Sequence, residues 1–392
     1  MVMFSRRKES GAVSLFLVVF AMLLITIVTL GFLRIMLNDQ QQASNNDLSK
    51  SAYDSSLAGV EDAKRALIYL RTVCGSGDTA ACTAVRNRMN SDTCNAGLSD
   101  VVSVTANKEV LVQQQQSAND TALNQAYTCV KIKLQTPDYL GTIAANTSKL
   151  IPLTATGDFN TITVEWYSEE DLGAGTKIVN LLPDTDAEAS QPLFKQANWV
   201  PTRPSLLRTQ LMQVGSSFSL SDFDAASSSV VNSNANTLFL YPSGRTGVAR
   251  SVTDQWGFAD EDIRQTPIGT PQATKCSGNL TGGGYACSVQ LTLQQAVGQS
   301  GSERTAYLRL TALYNSTHFR VSLGQNAKFS DVQPSIDSTG RANNLYRRVE
   351  SRVDLVDTNF PFPEAAVDLT GNFCKDFAIS TVASDFVNNC TP

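Results

Sequence analysis

Proline is missing from the first third of this chain: all 13 prolines lie at Pro137 or beyond. Glycine is almost missing from the same region, with only Gly31 and Gly59 between Ala12 and Val73. A helix over those residues therefore meets nothing that would end or kink it. Charge is scarce as well. Ala12 to Leu33 carries no ionisable side chain, and charged residues make up only 17% of the whole chain, below the usual quarter or so. Ser, Thr, Asn, Gln and Gly fill their place, as is common in exported proteins. There is one histidine, His318, and no C-x-x-C pair, so zinc is the lesser rival to disulfides as the use of the cysteines. No G-x-S-x-G, Walker A or G-x-G-x-x-G occurs in a strand-to-helix context.

The uncharged run itself reads AVSLFLVVFAMLLITIVTLGFL. A bilayer needs about 20 apolar residues at about 1.5 Å each, and no soluble core requires such a run. Arg6, Arg7 and Lys8 precede it, whereas Arg34 stands alone behind it until Lys50. The positive-inside rule then keeps residues 1–11 in the cytoplasm and exports the rest. An ordinary cleaved signal fits worse, because Arg34 to Asp39 offers no small-residue cleavage site. Past the membrane exit, Leu48, Ala52, Ser56, Val60, Ala63, Leu67 and Leu70 recur at spacings of three and four. That is one narrow stripe on a helix. Cys74-Gly75-Ser76-Gly77 supplies the stop. The spacing thus predicts one helix about 93 Å long: 12–33 in lipid and 34–73 an amphipathic stem.

A short basic leader ending in Gly11, an immediate apolar helix and an amphipathic continuation resemble a type IV pilin precursor. The closer likeness is to PilX-type minor pilins, through Ala52-Tyr53, Ala58-Gly59 and Ala63, and it covers residues 5–70. The resemblance implies cleavage after Gly11 by a prepilin peptidase, N-methylation of Ala12, and assembly with other pilin-like subunits through packed N-terminal helices. Gly11, lacking a Cβ, lets a protease approach that bond closely. Two departures stand out. Main pilins have a glutamate at the fifth mature position, where this chain has Phe16; its absence suggests a subunit that need not dock onto the one beneath in the usual way, such as a tip or initiating subunit, and leaves tip and shaft positions both open. The PilX-type pattern often has an acid before Ala-Gly, where this chain has Leu57.

More than 300 residues follow the stem, enough for one large or two moderate domains. A weak boundary lies near 200, in the proline-rich stretch from Pro183 to Pro204, giving parts 74–200 and 201–392. Removing Arg6, Arg7, Lys8 and Glu9 takes the net charge from −5 to near −7, a surface that does not attract nucleic acid as a whole. The eight cysteines, Cys74, Cys82, Cys94, Cys129, Cys276, Cys287, Cys374 and Cys390, read as disulfides in an oxidising compartment. Local clips Cys276–Cys287 and Cys374–Cys390 are expected, with a network of undetermined pairing among the first four.

Asp78 to Met89 reads as a short helix capped by Asp78. From Thr128 the period changes to two. Val130, Ile132 and Leu134 alternate with polar residues, as do Ile162, Val164 and Trp166, and Val289, Leu291 and Leu293. Leu308, Leu310, Ala312 and Tyr314 share one face, and Phe319, Val321 and Leu323 follow Asn315-Ser316-Thr317-His318, which reads as a hairpin. The region Cys287–Leu355 is expected to be an antiparallel meander with one wet face. The fold class is α+β: a long helix packed on a β-rich exported head.

Chemistry-bearing groups are few. His318 reads as an exposed histidine at a hairpin tip. Glu169-Glu170-Asp171 and Asp260-Glu261-Asp262 lack the ligand alternation of an EF-hand loop and read as solvated loops. Gly173-Ala174-Gly175-Thr176-Lys177 lacks phosphate-loop spacing. Arg347, Arg348 and Arg352 read as a wet sheet face paired with Glu350 and Asp354. Asn119, Asn146, Asn279, Asn315 and Asn389 head N-x-S/T triplets of no assigned use. No catalytic residue, metal or cofactor is assigned. The expected function is a membrane-stored, pilin-like structural subunit whose head meets an unidentified extracellular ligand. The second reading is a permanently anchored surface binding protein or adhesin, and an anchored enzyme is third.

Overall fold

In a computed structural model, the described residues are 11–112, 124–173, 175–181, 196, 199–214, 235–244, 251–252, 272–298 and 305–355. Helix α1 spans Gly11–Gly75 and α2 spans Thr79–Met89. The first strands are β1 Val110–Leu111, β2 Gln125–Thr136, β3 Asp138–Ile143, β4 Thr147–Pro152 and β5 Phe159–Ser168. Next come β6 Leu206–Val214, β7 Ala235–Ser243, β8 Ser251–Val252, β9 Gln272–Lys275 and β10 Tyr285–Val297. The last are β11 Thr305–Leu313, β12 Thr317–Leu323, β13 Phe329–Ala342 and β14 Leu345–Arg352. The class is α+β.

The chain divides into two units, each assembled from separate stretches. The first takes residues up to 78, 91–131 and 337–350; the second takes 79–90, 132–336 and the stretch from 351. The boundaries at 131 and 337 fall inside β2 and β13.

In the first unit, α1 is one uninterrupted helix of 65 residues, about 97 Å at about 1.5 Å per residue. It stops where expected: Gly77 takes φ 85°, a left-handed conformation that glycine adopts without penalty. Its buried residues are Ala52, Ser55, Ser56, Val60, Ala63, Ala66, Leu67 and Leu70, so the stripe read from spacing is the packed face, with Leu48 only half-buried at its edge. This face lies against the sheet of order β1-β2-β13-β14. Contact is at backbone range. A Cβ on Gly59 would lie 2.5 Å from Ser338 Oγ and 2.8 Å from Val130 Cγ2. A Cβ on Gly340 would strike the helix backbone itself, at the carbonyl of Ala52 and the amide of Ser56. The Ser338 hydroxyl donates to the Ser56 carbonyl at 2.7 Å. The Ala-Gly pattern that prompted the family resemblance is thus a packing device in this chain: Ala52, Gly59 and Ala63 let a sheet approach, while Tyr53 and Leu57 face outward.

Beside the sheet, Asn95 is fully buried with φ 63°. Its Nδ2 donates to the Lys108 carbonyl at 2.6 Å and its Oδ1 accepts the Val130 amide at 2.7 Å. The Cys94–Cys129 disulfide fixes the same junction. Tyr127 donates its phenol hydrogen to Asp62 of the stem at 2.8 Å.

The second unit is a two-sheet sandwich. One sheet has the order β3-β12-β5-β10-β8, the other β4-β11-β6-β7-β9. Pairing is antiparallel except for β10 with β8 and β7 with β9, which are parallel. Their inner faces share one core: Ile162, Val164, Trp166, Phe319, Val321, Val289 and Leu291 on one side, Ile151, Leu308, Leu310, Ala312, Leu207, Leu211 and Leu240 on the other. The faces assigned by alternation to β5, β10, β11 and β12 point inward, except for Tyr314 at the end of its face.

The topology differs from the meander expected after Cys287. β11 and β12 are not a hairpin: β11 pairs with β4 and β6, and β12 with β3 and β5. The segment Tyr314–Ser316 carries the chain from one sheet to the other, with Tyr314 at φ 76°. Tyr314 thereby leaves the face it was expected to share with Leu308 and packs on Trp199, ring centroids 5.1 Å apart. β3 and β4 cross in the same way through Asn146, at φ 59°. Burial on a second sheet satisfies an alternating strand as well as a hairpin partner does.

Gly340→Ala should destabilise the chain by about 1–3 kcal/mol, because a helix backbone cannot yield as a side chain does. Gly157→Ala, where nothing lies within 4 Å, should stay within about 0.5 kcal/mol. Thermal unfolding followed by circular dichroism separates the two.

Candidate functional site

The largest chemically unsatisfied surface in the described residues is the first half of α1. From Leu15 to Asp47 every residue is exposed, and the large apolar side chains between Leu15 and Leu37 are 47–75% exposed. This part of the helix has a mean hydropathy of 2.8 over eighteen residues and is apolar and long enough to cross a membrane. Burying one such side chain is worth about 1.5–3 kcal/mol, so together they demand cover worth tens of kcal/mol. Its polar groups look inward. Thr26 and Thr29 donate their hydroxyls to the carbonyls of Met22 and Ile25, at 2.7 and 2.8 Å, and Gly31 has open space around it. Such a rod can enter lipid, or pack against other apolar helices through shape alone. Gly11 is its first helical residue and Ala12 its second; residues 1–10 lie outside the described ones. Phe16, at the place of the main-pilin glutamate, is 75% exposed.

The second polar centre surrounds His318, which is not at a hairpin tip. It is the second residue of β12, and its ring is two-thirds buried. Nδ1 lies 2.8 Å from Asp171 and Nε2 3.1 Å from Glu170. The backbone amide of His318 also donates to the Asp171 carboxylate, at 3.0 Å. Asp171 closes a capping box as well, accepting the Ser168 amide at 2.8 Å. Glu169 pairs with Lys177. The three acids read as a solvated loop are therefore engaged with protein cations and amides. Both imidazole nitrogens face carboxylates. Among the described residues no group of three His, Cys, Asp or Glu is arranged to hold a metal. Asp260-Glu261-Asp262 lies outside the described residues.

Sequence reasoning missed how much anchors the loop Trp199–Ser205. Trp166 Nε1 donates to the Ser205 carbonyl, Tyr167 to Pro201, and the Asn315 amide to both Val200 and Arg203, all at 2.8–3.1 Å. Arg203 donates to Asn180 at 3.0 Å and stacks on Trp199 at 5.3 Å, and burial lowers its pKa. Asn315, read as a hairpin-turn residue and the head of a triplet, spends its amide here. Nothing local in the sequence signals these contacts, because each joins distant stretches.

The arginines take partners other than those expected. Arg348 binds Asp337 at 2.6 Å, which holds its guanidinium charged, and Arg347 donates to Ser49 at 2.8 Å. Arg352 binds Asp138 at 3.0 Å, and Asp354 accepts from Lys149 at 2.9 Å. Of the cysteines, Cys276 and Cys287 are joined, Cys94 pairs with Cys129, and Cys74 and Cys82 are each disulfide-bonded. Cys374 and Cys390 lie outside the described residues. No protein-family model matches this chain, and no curated protein matches it.

Buried phenols make stability pH-dependent, Tyr127 and Tyr167 more strongly than Tyr285 and Tyr314. Burial, then the hydrogen bond to Asp62, pushes Tyr127 well above its ordinary 10.0. Burial, then the charge of Asp171, does the same to Tyr167. In the unfolded chain both ionise near the ordinary value while the folded ones stay protonated. Their stabilisation is whole below pH 10.0 and is lost as pH rises past it. Urea midpoints at about pH 9 and about pH 11 should show this fall, and Tyr127→Phe should flatten it.

Proposed function

We propose that this chain is a pilin-like structural subunit, processed after Gly11, N-methylated at Ala12 and assembled through α1 into a surface fibre. The observation that carries the reading is α1 itself. One unbroken helix exposes its apolar first half along its whole length and gives its second half to a β-rich unit. In this reading the first half rests in the bilayer after synthesis, with residues 1–11 cytoplasmic and the disulfide-bonded head outside. A prepilin peptidase then removes the leader, and the helix exchanges lipid for other subunits' helices. The disulfides support an oxidising compartment for the head.

A permanently anchored, unpolymerised surface binding protein is the second reading. Phe16 favours it, since no carboxylate is present at that place to seek another subunit's terminal amine.

Mass spectrometry of the native protein separates the two. The fibre reading expects a mature chain that begins at methylated Ala12 and occurs in sheared surface fibres. Gly11→Leu should leave the leader attached and empty the sheared fraction. A native chain that retains Met1 and stays wholly in the membrane would establish the static anchor.

A further inference from the structure

Arg34 and Asp39 are the only charged residues between Leu15 and Asn46, and both are exposed. Neither takes part in an ion pair among the described residues. They cannot pair within one helix. Five residues apart, they are displaced by about 7.5 Å along the axis and about 140° around it, whereas side chains meet at spacings of three and four. Ile35, Met36 and Leu37 around them are 58–64% exposed. In lipid, Arg34 reaches the headgroups through its flexible stem. Between apolar helices that route is closed, and an unpaired charge there is costly.

We propose that Arg34 of one copy pairs with Asp39 of a second copy lying parallel to it. This rests on the reading of α1 as an assembly helix and deepens it by naming the register. The two helices are displaced by about 7.5 Å, the rise of five residues. Because the charges lie on different sides of the rod, the contact is heterologous. Each copy offers a basic face to one neighbour and an acidic face to another, so the pairing repeats without closing on two copies. The Ile35–Leu37 side chains exclude water around the pair and strengthen it.

The test uses the full-length chain carrying two distinguishable tags and expressed in membranes. Co-purification of one tagged copy with the other is measured. Arg34→Asp and Asp39→Arg, each expressed alone, should reduce it about tenfold or more. Co-expressing the Arg34→Asp copy with the Asp39→Arg copy should restore it, as should both changes in one chain. Asp47→Arg should leave it unchanged. Undiminished association of the single variants, or no recovery on co-expression, overturns the pairing, as does a wild type that never self-associates. Sheared fibres are a separate readout. Copies that pair in membranes but never appear in fibres sustain the pairing and remove the fibre reading.

Discussion

An α-helix can hide only one stripe of its surface against a sheet, and everything else it carries must find cover outside the chain. That constraint shapes this molecule. Between Ala52 and Leu70 the stripe is small and apolar, and the sheet comes so close that glycines stand at the contact from both sides. Between Leu15 and Leu37 no stripe exists, because the helix is apolar all round. An all-round apolar helix belongs in lipid or among like helices. The same rod thus carries two surfaces of different character, and the change occurs without a break in the helix.

The local half of this architecture was legible in the sequence. Absent breakers gave α1, spacing gave the stripe from Ala52 to Leu70, and alternation gave the inward faces of β5, β10, β11 and β12. Those signals depend on which side of an element meets a core, and composition reports that directly. What alternation does not report is the partner. Leu308 to Ala312 looks the same whether the next strand returns beside it or crosses to a facing sheet, so the hairpin at Asn315 was a fair inference and the crossing was not visible. His318 was misread for the same reason: the carboxylates that hold it come from a turn about 150 residues earlier. Asn95, buried with a left-handed backbone, gave no signal beyond its ability to adopt that conformation.

Backbone groups at the irregular parts of the sandwich are bonded by side chains. Where the chain leaves regular pairing, side chains distant in sequence take over some of the backbone's bonds. Asn315, Trp166 and Tyr167 hold the loop before β6, and Asp171 holds the start of β12. The His318 cluster takes part in this structural work. The covalent clips serve a related end: Cys94–Cys129 closes a 35-residue separation, a constraint worth about 3–4 kcal/mol in the chain-entropy account.

The stem's packed face and the strand that covers it are far apart in time as well as in sequence. Roughly 290 residues separate Ala52 from Gly340. At synthesis rates of about 5–20 residues per second, the stem emerges about 15–60 s before its cover exists. Throughout that interval, of the strands β2 and β13 only β2, whose Val130 and Tyr127 reach the stem, can shelter this helical segment within the chain. The small side chains that permit the final close approach also keep this waiting surface modest in area.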